Sequence, residues 1–154
     1  MRLVLIGALV LVLVGCAGKP AHQGRSLAQL QRMLADPDPR IQSQGAHGLG
    51  LLGEEAAPAV AALAKALKAA DPRVREEAAR ALGEIGPEAA TAAAELAALL
   101  TDHELEVRYT AVKSLGLIGP EARHAAEEGL KKSLRDSNQR VRRAAQESLA
   151  SVKD

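Results

Sequence analysis

The sequence predicts an all-α fold, an α-α superhelix of four stacked helix pairs preceded by an apolar signal segment. Three observations lead to this prediction. First, 47% of the residues are apolar but only one is aromatic, so the core must consist of aliphatic side chains, among which Ala and Leu are strong helix formers. Second, one pattern recurs every 33 or 34 residues. Third, the apolar residues within each repeat follow the 3.6-residue period of an amphipathic helix.

The first element is the apolar run at the N-terminus. Arg2 precedes the uncharged, almost wholly aliphatic residues 3–14, and small residues follow from Gly15 onward. This order is typical of a secretory signal peptide. Because the run is about a dozen residues long and a helix needs about 20 to cross a bilayer, a cleaved signal is favoured over a permanent membrane span.

The tetrad Leu13-Val14-Gly15-Cys16 contains the only cysteine of the chain and resembles the lipobox of bacterial lipoproteins. The resemblance implies that residues 1–15 are removed and that Cys16 carries a diacylglyceryl group, with residues 16–25 as a flexible tether. The chain would then be lipid-anchored on the periplasmic or extracellular side of the bacterial envelope, at the outer membrane if the organism has one. The alternative is a coincidental cysteine at the end of an ordinary secretory signal.

The rest of the chain divides into four repeats, which we place at residues 26–53, 54–86, 87–119 and 120–154. In each repeat a β-branched aliphatic residue is followed, eight positions later, by a leucine. In the first three repeats a glycine comes directly after that leucine. The corresponding residues are Ile41, Val74, Val107 and Val141; Leu49, Leu82, Leu115 and Leu149; and Gly50, Gly83, Gly116 and Ala150.

Each repeat is predicted to form two helices, and the second helix of the second repeat is the best defined. Asp71 suits its N-cap and Pro72 its first turn. Gly86 suits a left-handed C-cap, after which Pro87 would stop the helix. Gly83 lies inside the helix at a cost of about 1 kcal/mol relative to Ala, so its recurrence predicts a close approach between helices.

Residues 71–89 read Asp-Pro-x-Val-Arg-x-x-Ala-Ala-x-Ala-Leu-Gly-x-Ile-Gly-Pro-Glu-Ala and resemble the short HEAT repeats named after phycobilisome lyases. The resemblance covers residues 27–152 and implies a curved stack whose second helices line the concave side. The first repeat departs from the pattern at Gln42, where the others carry arginine. The last repeat departs at Gln146, where the others are apolar, as expected of a terminal repeat with no neighbour to cover it.

Charged residues recur at two positions of the repeat. Arginines follow the buried valine, and aspartates lie in the turn before the second helix, except for Ala69 in the second repeat. They form either an anion-binding row or a structural ladder that caps turns and joins repeats, and we favour the ladder. The residues are Arg75, Arg108, Arg142, Asp36, Asp102 and Asp136.

No motif predicts catalysis, so we expect a protein that is not an enzyme, with no metal, no cofactor and no small-molecule substrate. Deoxyhypusine hydroxylase, a HEAT-repeat protein, carries His-Glu pairs directly after the Val-Arg-like dipeptide, and none of the matching positions here holds such a pair. The pair His103-Glu104 falls in a turn instead. A formal net charge of +1 also argues against nucleic acid as a partner.

What remains is the outward surface of the second helices, and we expect it to bind another envelope protein as a non-catalytic scaffold. Two alternatives stay open: a lyase-type or assembly factor that acts on a client protein, and a structural spacer without a specific client. Tyr109 is the preferred anchor, since Tyr is enriched at binding hot spots. The alternative for Tyr109, Leu51 and Leu117 is that they only fill space between neighbouring helices, and the sequence favours neither interpretation. Thr110 and Ala144 are also expected to point outward. The candidate binding residues are His47, Leu51, Glu77, Arg80, Glu84, Tyr109, Lys113 and Leu117.

Overall fold

The computed structural model describes residues 24–153, and this part of the chain forms eight α-helices and no strand. The predicted signal peptide, Cys16 and residues 16–23 of the predicted tether lie outside the described residues. The helices are α1 (Leu27–Leu34), α2 (Pro39–Leu52), α3 (Val60–Ala66), α4 (Pro72–Ile85), α5 (Ala93–Ala98), α6 (Leu105–Ile118), α7 (Arg123–Ser133) and α8 (Gln139–Ser151). Short 3-10 helices lie at Gly53–Ala59, Gly86–Ala92, Leu99–Thr101 and Gly119–Ala122.

Helix α4 starts where the sequence predicts, with Asp71 as its N-cap and Pro72 in its first turn. The side chains of Asp38, Asp71 and Asn138 accept a hydrogen bond from the backbone N–H two residues later and so cap α2, α4 and α8. Helix α1 starts with a capping box: the Ser26 hydroxyl accepts from the Gln29 N–H, and the Gln29 side chain accepts from the Ser26 N–H.

The ends of the second helices differ from the prediction in one respect. Gly53, Gly86 and Gly119 have φ between 56° and 81°, as expected, but their ψ lies between −135° and −147° rather than in the left-handed helical region. This conformation is essentially restricted to glycine. The proline after Gly86 does not stop the chain from coiling, because a 3-10 helix follows at once.

The core is one continuous layer of leucine and alanine between the first and second helices. Within the stack, each pair shares its apolar face with the next pair, so no helix pair has to shield its own leucines alone. The leucines buried in this layer are Leu30, Leu63, Leu96 and Leu130 from the first helices, and Leu49, Leu82, Leu115 and Leu149 from the second.

The predicted close approach between second helices is confirmed. A Cβ placed on Gly83 would lie 2.7 Å from the Ser114 Oγ and 2.9 Å from the Ser114 Cα. The equivalent Gly50 and Gly116 face Ala81 and Ser148 of the following helix in the same manner. The second helices thus pack directly on one another along the stack.

Both described ends of the stack are closed. Helix α1 lies across α2 at Gly45 and Gly48, and Leu30 occupies the space that a preceding repeat would take beside Gly48. At the other end Gln146 is exposed, as predicted, and Ala150 takes the repeat position that is glycine elsewhere. The terminal repeats are therefore modified to face solvent.

A helix needs about 20 apolar residues to cross a bilayer, and the longest of α1 to α8 has 14 residues. None of these helices is both long enough and apolar enough to cross a membrane.

We predict that Gly83→Ala destabilises the protein by about 1–3 kcal/mol, because the added methyl group overpacks the contact with Ser114. Helix propensity alone predicts the opposite sign, a gain of about 1 kcal/mol. The free energy of unfolding from urea denaturation measures the difference. Ala150→Gly is the matched control at the uncovered end and should lose no more than about 1 kcal/mol; a Gly83→Ala variant as stable as the wild type would contradict the close contact.

Candidate protein-binding surface

The solvent-facing sides of α2, α4, α6 and α8 form one surface, here called the second-helix surface. An open depression between α2 and α4 is lined by five of the predicted binding residues. Lys113 and Leu117 occupy on α6 the repeat positions that Arg80 and Glu84 occupy on α4. The stack thus brings these seven predicted residues to one side: His47, Leu51, Glu77, Arg80, Glu84, Lys113 and Leu117.

Two large apolar side chains are strongly exposed within residues 24–153. Leu51 is 51% exposed and Leu117 is 54% exposed. They occupy the same repeat position two repeats apart, and Glu84 holds that position between them. The surface therefore carries an apolar, acidic, apolar row across its centre.

Ion pairs cross two of the three boundaries between neighbouring second helices. The His47 Nδ1 lies 3.2 Å from the Glu77 Oε2 between α2 and α4. The Lys113 Nζ lies 3.5 Å from a Glu147 carboxylate oxygen between α6 and α8, where Arg140 and Glu106 also pair. Among the described residues no ion pair joins α4 to α6. The middle boundary is therefore the part of this surface whose charged groups are not used to join helices.

Tyr109, the predicted anchor, is half-buried. The Arg140 guanidinium lies 4.5 Å from its ring centroid and donates to the Glu106 carboxylate at 2.9 Å. One face of the ring is thus covered by the next repeat through a cation–π contact, although Tyr109 still lines an open depression beside Arg143 and Glu147.

The expectation that Thr110 and Ala144 point outward is wrong. Thr110 is 8% exposed and Ala144 is 3% exposed. The equivalent residues in the first two repeats are Gln44, which is exposed, and Glu77, which is half-buried. The longer side chains of these two residues extend past their neighbours. A short side chain at the same position stays below the surface, which periodicity does not reveal.

The recurring arginines bind the aspartates of the following repeat. The Arg75 Nε and Nη2 donate to the Asp102 carboxylate at 2.8 and 3.0 Å, and the Nη1 donates to two carbonyl oxygens of its own turn. Arg108 repeats this arrangement with Asp136, at 2.9 and 3.3 Å. These side chains are only 16% (Arg75), 8% (Asp102), 15% (Arg108) and 9% (Asp136) exposed. At both positions the guanidinium is already occupied by a carboxylate, a geometry that favours the ladder over the anion-binding row.

The pairing shifts the acidity of the aspartates. Burial alone would raise the pKa of Asp102, but hydrogen bonds from the Arg75 guanidinium and the Glu104 N–H outweigh it and hold the pKa below its ordinary value. At Asp136 burial again acts to raise the pKa, but hydrogen bonds from the Arg108 guanidinium and the Asn138 N–H outweigh it, so the pKa is lowered. The hydrogen bond to Asp102 raises the pKa of Arg75. Each pair therefore stays fully ionised well below neutral pH.

The ladder stops at both ends of the stack. Gln42 keeps the bond to its own turn, donating to the Asp36 carbonyl oxygen at 2.7 Å, but it lacks a guanidinium, and the position it would reach in the next repeat is Ala69. The carboxylate of Asp36 accepts only the Asp38 N–H, and Arg142 donates only to carbonyls of its own turn, so neither pairs across repeats within residues 24–153. The sequence predicted a ladder that joins repeats, but not which aspartate each arginine binds.

The described part of the chain brings no three His, Cys, Asp or Glu side chains together as a metal site would require. His103 and Glu104 lie exposed in the turn before α6, where the Glu104 N–H donates to Asp102.

Comparison with known proteins identifies the repeat. A family model described as HEAT repeats matches residues 26–104 and 60–150. No curated protein sequence matches the chain. Several solved structures do match, and they include an engineered protein, 30% identical with a TM-score of 0.70, in an alignment that covers 82% of this chain and 62% of that one.

Two further structures place the fold among helical repeat proteins. A designed armadillo repeat protein in complex with the peptide (KR)4 is 22% identical with a TM-score of 0.72, over 82% of this chain and 64% of that one. Human deoxyhypusine hydroxylase in complex with glycerol is 29% identical with a TM-score of 0.64, over 84% of this chain and 44% of that one. The chain spans less than two thirds of the length of each of these structures.

We predict that Asp102→Asn lowers the free energy of unfolding by about 2–3 kcal/mol at pH 7, because it breaks a largely buried charge-assisted pair. The native pKa of Asp102 is lower than its unfolded value of about 3.9. The pair therefore stabilises the protein above that value, and its contribution is lost as the pH falls through the native pKa. Urea unfolding at pH 7 and pH 3 should show the difference between wild type and variant shrinking at the lower pH.

Asp36→Asn is the matched control, since Asp36 forms the same kind of turn without an arginine. It should change the stability little at either pH. An Asp102→Asn variant whose deficit is the same at pH 3 as at pH 7 would rule out the ion pair as the source.

Proposed function

We propose that this chain, which belongs to the HEAT-repeat family, is a membrane-tethered, non-catalytic scaffold that binds another envelope protein through its second-helix surface. A HEAT solenoid is compatible with protein–protein interaction. The observation that carries the proposal is that Leu51 and Leu117 are strongly exposed on this surface, while no ion pair between described residues joins α4 to α6. Apolar patches left exposed on a polar surface are typical of contact sites.

The tether is proposed from the sequence of residues 1–25. Cys16 ends the lipobox-like tetrad, and acyl chains on one residue contribute about 0.8 kcal/mol for each buried CH₂ group, so two or three chains anchor a protein stably. A lipid on Cys16 would keep the stack near the membrane and leave its second-helix surface available to a neighbour in the envelope.

Catalysis is not part of the proposal. Human deoxyhypusine hydroxylase shares the repeat, but the positions that match its His-Glu pairs are Ser43-Gln44, Glu76-Glu77, Tyr109-Thr110 and Arg143-Ala144. A lyase-type or assembly factor would still need a client, and the same surface would hold it. A structural spacer would need none, which makes the presence of a discrete partner the deciding observation.

We predict that Cys16→Ser leaves the membrane fraction or stays unprocessed, because the thiol is the atom that receives the lipid. Fractionation and mass spectrometry of the N-terminus measure both outcomes. Ala17→Ser is the matched control and should be processed and retained like the wild type. Normal cleavage of Cys16→Ser with unchanged membrane retention would contradict the lipid assignment.

We predict that a photoreactive amino acid at position 117 crosslinks one discrete envelope protein in intact cells. Leu117 is preferred to Tyr109 for the probe because its side chain is exposed and the Tyr109 ring is partly covered by Arg140. A probe at Ala94, exposed on α5, is the control for the opposite layer. Equal, diffuse labelling from both positions would favour the spacer over the scaffold.

A further inference from the structure

We infer that the row Leu51, Glu84 and Leu117, called the central row, binds an extended segment of the partner in which a lysine or arginine lies between two apolar side chains. The inference rests on the proposed function, because it names the chemistry of the partner at the same surface.

The apolar part of the row is formed by its two ends. Leu51 and Leu117 are the large apolar side chains left strongly exposed in residues 24–153, while Leu49 and Leu115, two positions earlier on the same helices, are buried. Leu51 borders the open depression between α2 and α4, beside Gly50, Gly53 and Ala81. The small residues around it leave room for an apolar side chain to lie against it.

The charged part of the row is Glu84. Every other acidic side chain of the second helices faces a base: Glu76 pairs with Arg80, Glu77 with His47 and Arg80, Glu106 with Arg140, and Glu147 with Lys113. Glu84 is exposed and has no basic partner among the described residues. It therefore presents a carboxylate that a cation from another molecule can approach without breaking an existing pair.

The spacing of the row suits an extended chain. Neighbouring packed helices lie about 8–10 Å apart, so Leu51 and Leu117, two helices apart, are separated by about 16–20 Å. An extended chain rises about 3.3 Å per residue, so this distance corresponds to about five to six residues, and six is the even spacing in this range. Side chains six positions apart lie on the same face of such a chain, and so do those two and four positions along. A basic side chain at either of these inner positions meets Glu84.

Charge distinguishes this occupant from two others. A bilayer with anionic headgroups would be repelled by an unpaired carboxylate in the middle of the row. A second copy, placed across a two-fold axis through the centre of the row, would bring Leu51 over Leu117 but Glu84 over Glu84, which is a like-charge contact. A segment with a cation between apolar side chains satisfies all three positions.

The test uses four fluorescent nine-residue peptides and the full chain. One peptide has two leucines six positions apart with an arginine between them on the same face; the others replace the arginine with glutamine, replace it with glutamate, or replace both leucines with serine. Fluorescence anisotropy gives the dissociation constants. We expect the arginine peptide to bind at least fivefold more tightly than the glutamine peptide, and the glutamate and serine peptides to bind more weakly still.

Variants assign the effect to residues. Glu84→Gln should remove the preference for arginine over glutamine, and Glu84→Arg should transfer it to the glutamate peptide. Leu51→Ala and Leu117→Ala should each weaken binding of both leucine peptides about five- to tenfold, with unchanged circular dichroism because both side chains are exposed. Glu88→Gln, an exposed acid in the 3-10 segment after α4, is the matched control and should bind like the wild type.

The outcomes separate this inference from the proposed function. A partner crosslinked at position 117 together with no preference among the peptides would overturn the inference and leave the scaffold standing. Binding to anionic vesicles, or self-association in ultracentrifugation, that is lost in Leu51→Ala and Leu117→Ala would overturn it as well. If the probe at position 117 crosslinks no partner and none of the peptides binds, both the inference and the proposed scaffold function are wrong.

Discussion

The distance between neighbouring second helices is the constraint on which the rest of the structure depends. At Gly83 and Gly116 neighbouring helices come so close that an added methyl group would overlap a serine of the next helix, and at Gly50 it would be crowded by Ala81. Glycine weakens an isolated helix by about 1 kcal/mol relative to Ala, so the helices accept a local cost that their contact offsets. The same close packing brings the arginine of one repeat within hydrogen-bonding distance of the aspartate before the next second helix. The ladder and the shared core thus both depend on the close packing of the second helices.

The first and the last described repeats differ from the two inner repeats, each in its own way. At the N-terminal side α1 covers α2 where a preceding repeat would lie. At the C-terminal side the last helix is altered instead, with Gln146 in an apolar position and Ala150 in a glycine position. At the first boundary both members of the ladder pair are replaced, the arginine by Gln42 and the aspartate by Ala69. No buried charge is therefore left without a partner at these two positions. Such a paired loss is expected because an unpaired buried charge is costly.

The stack also determines what kind of site the molecule can offer. Most of its apolar side chains are buried between the two helix layers. The solvent-facing sides of the described second helices form an open surface. On that surface ion pairs tie α2 to α4 and α6 to α8, while α4 and α6 are held together below it by the Gly83–Ser114 contact and by the ladder at its edge. The middle of the surface is therefore held together without ion pairs between the charged groups of α4 and α6 that the structure describes. Such a repeat surface is compatible with binding another protein.

The helices, the N-cap of α4 and the buried leucines were predictable from the sequence, because each depends on the spacing of residues within about one helix. The recurrence of Gly83 and its equivalents even indicated the close helix contact. Other features arise only when residues far apart in the chain are stacked: the reach of Arg75 to Asp102, the cover that Arg140 gives Tyr109, the burial of Thr110 and Ala144, and the placement of α1 over Gly48. Glu84, which has no basic partner in residues 24–153 and lies between two exposed leucines, belongs to this second group. A repeat pattern gives each residue its position in the unit, but which neighbour fills the space beside it depends on the next unit and on the length of both side chains.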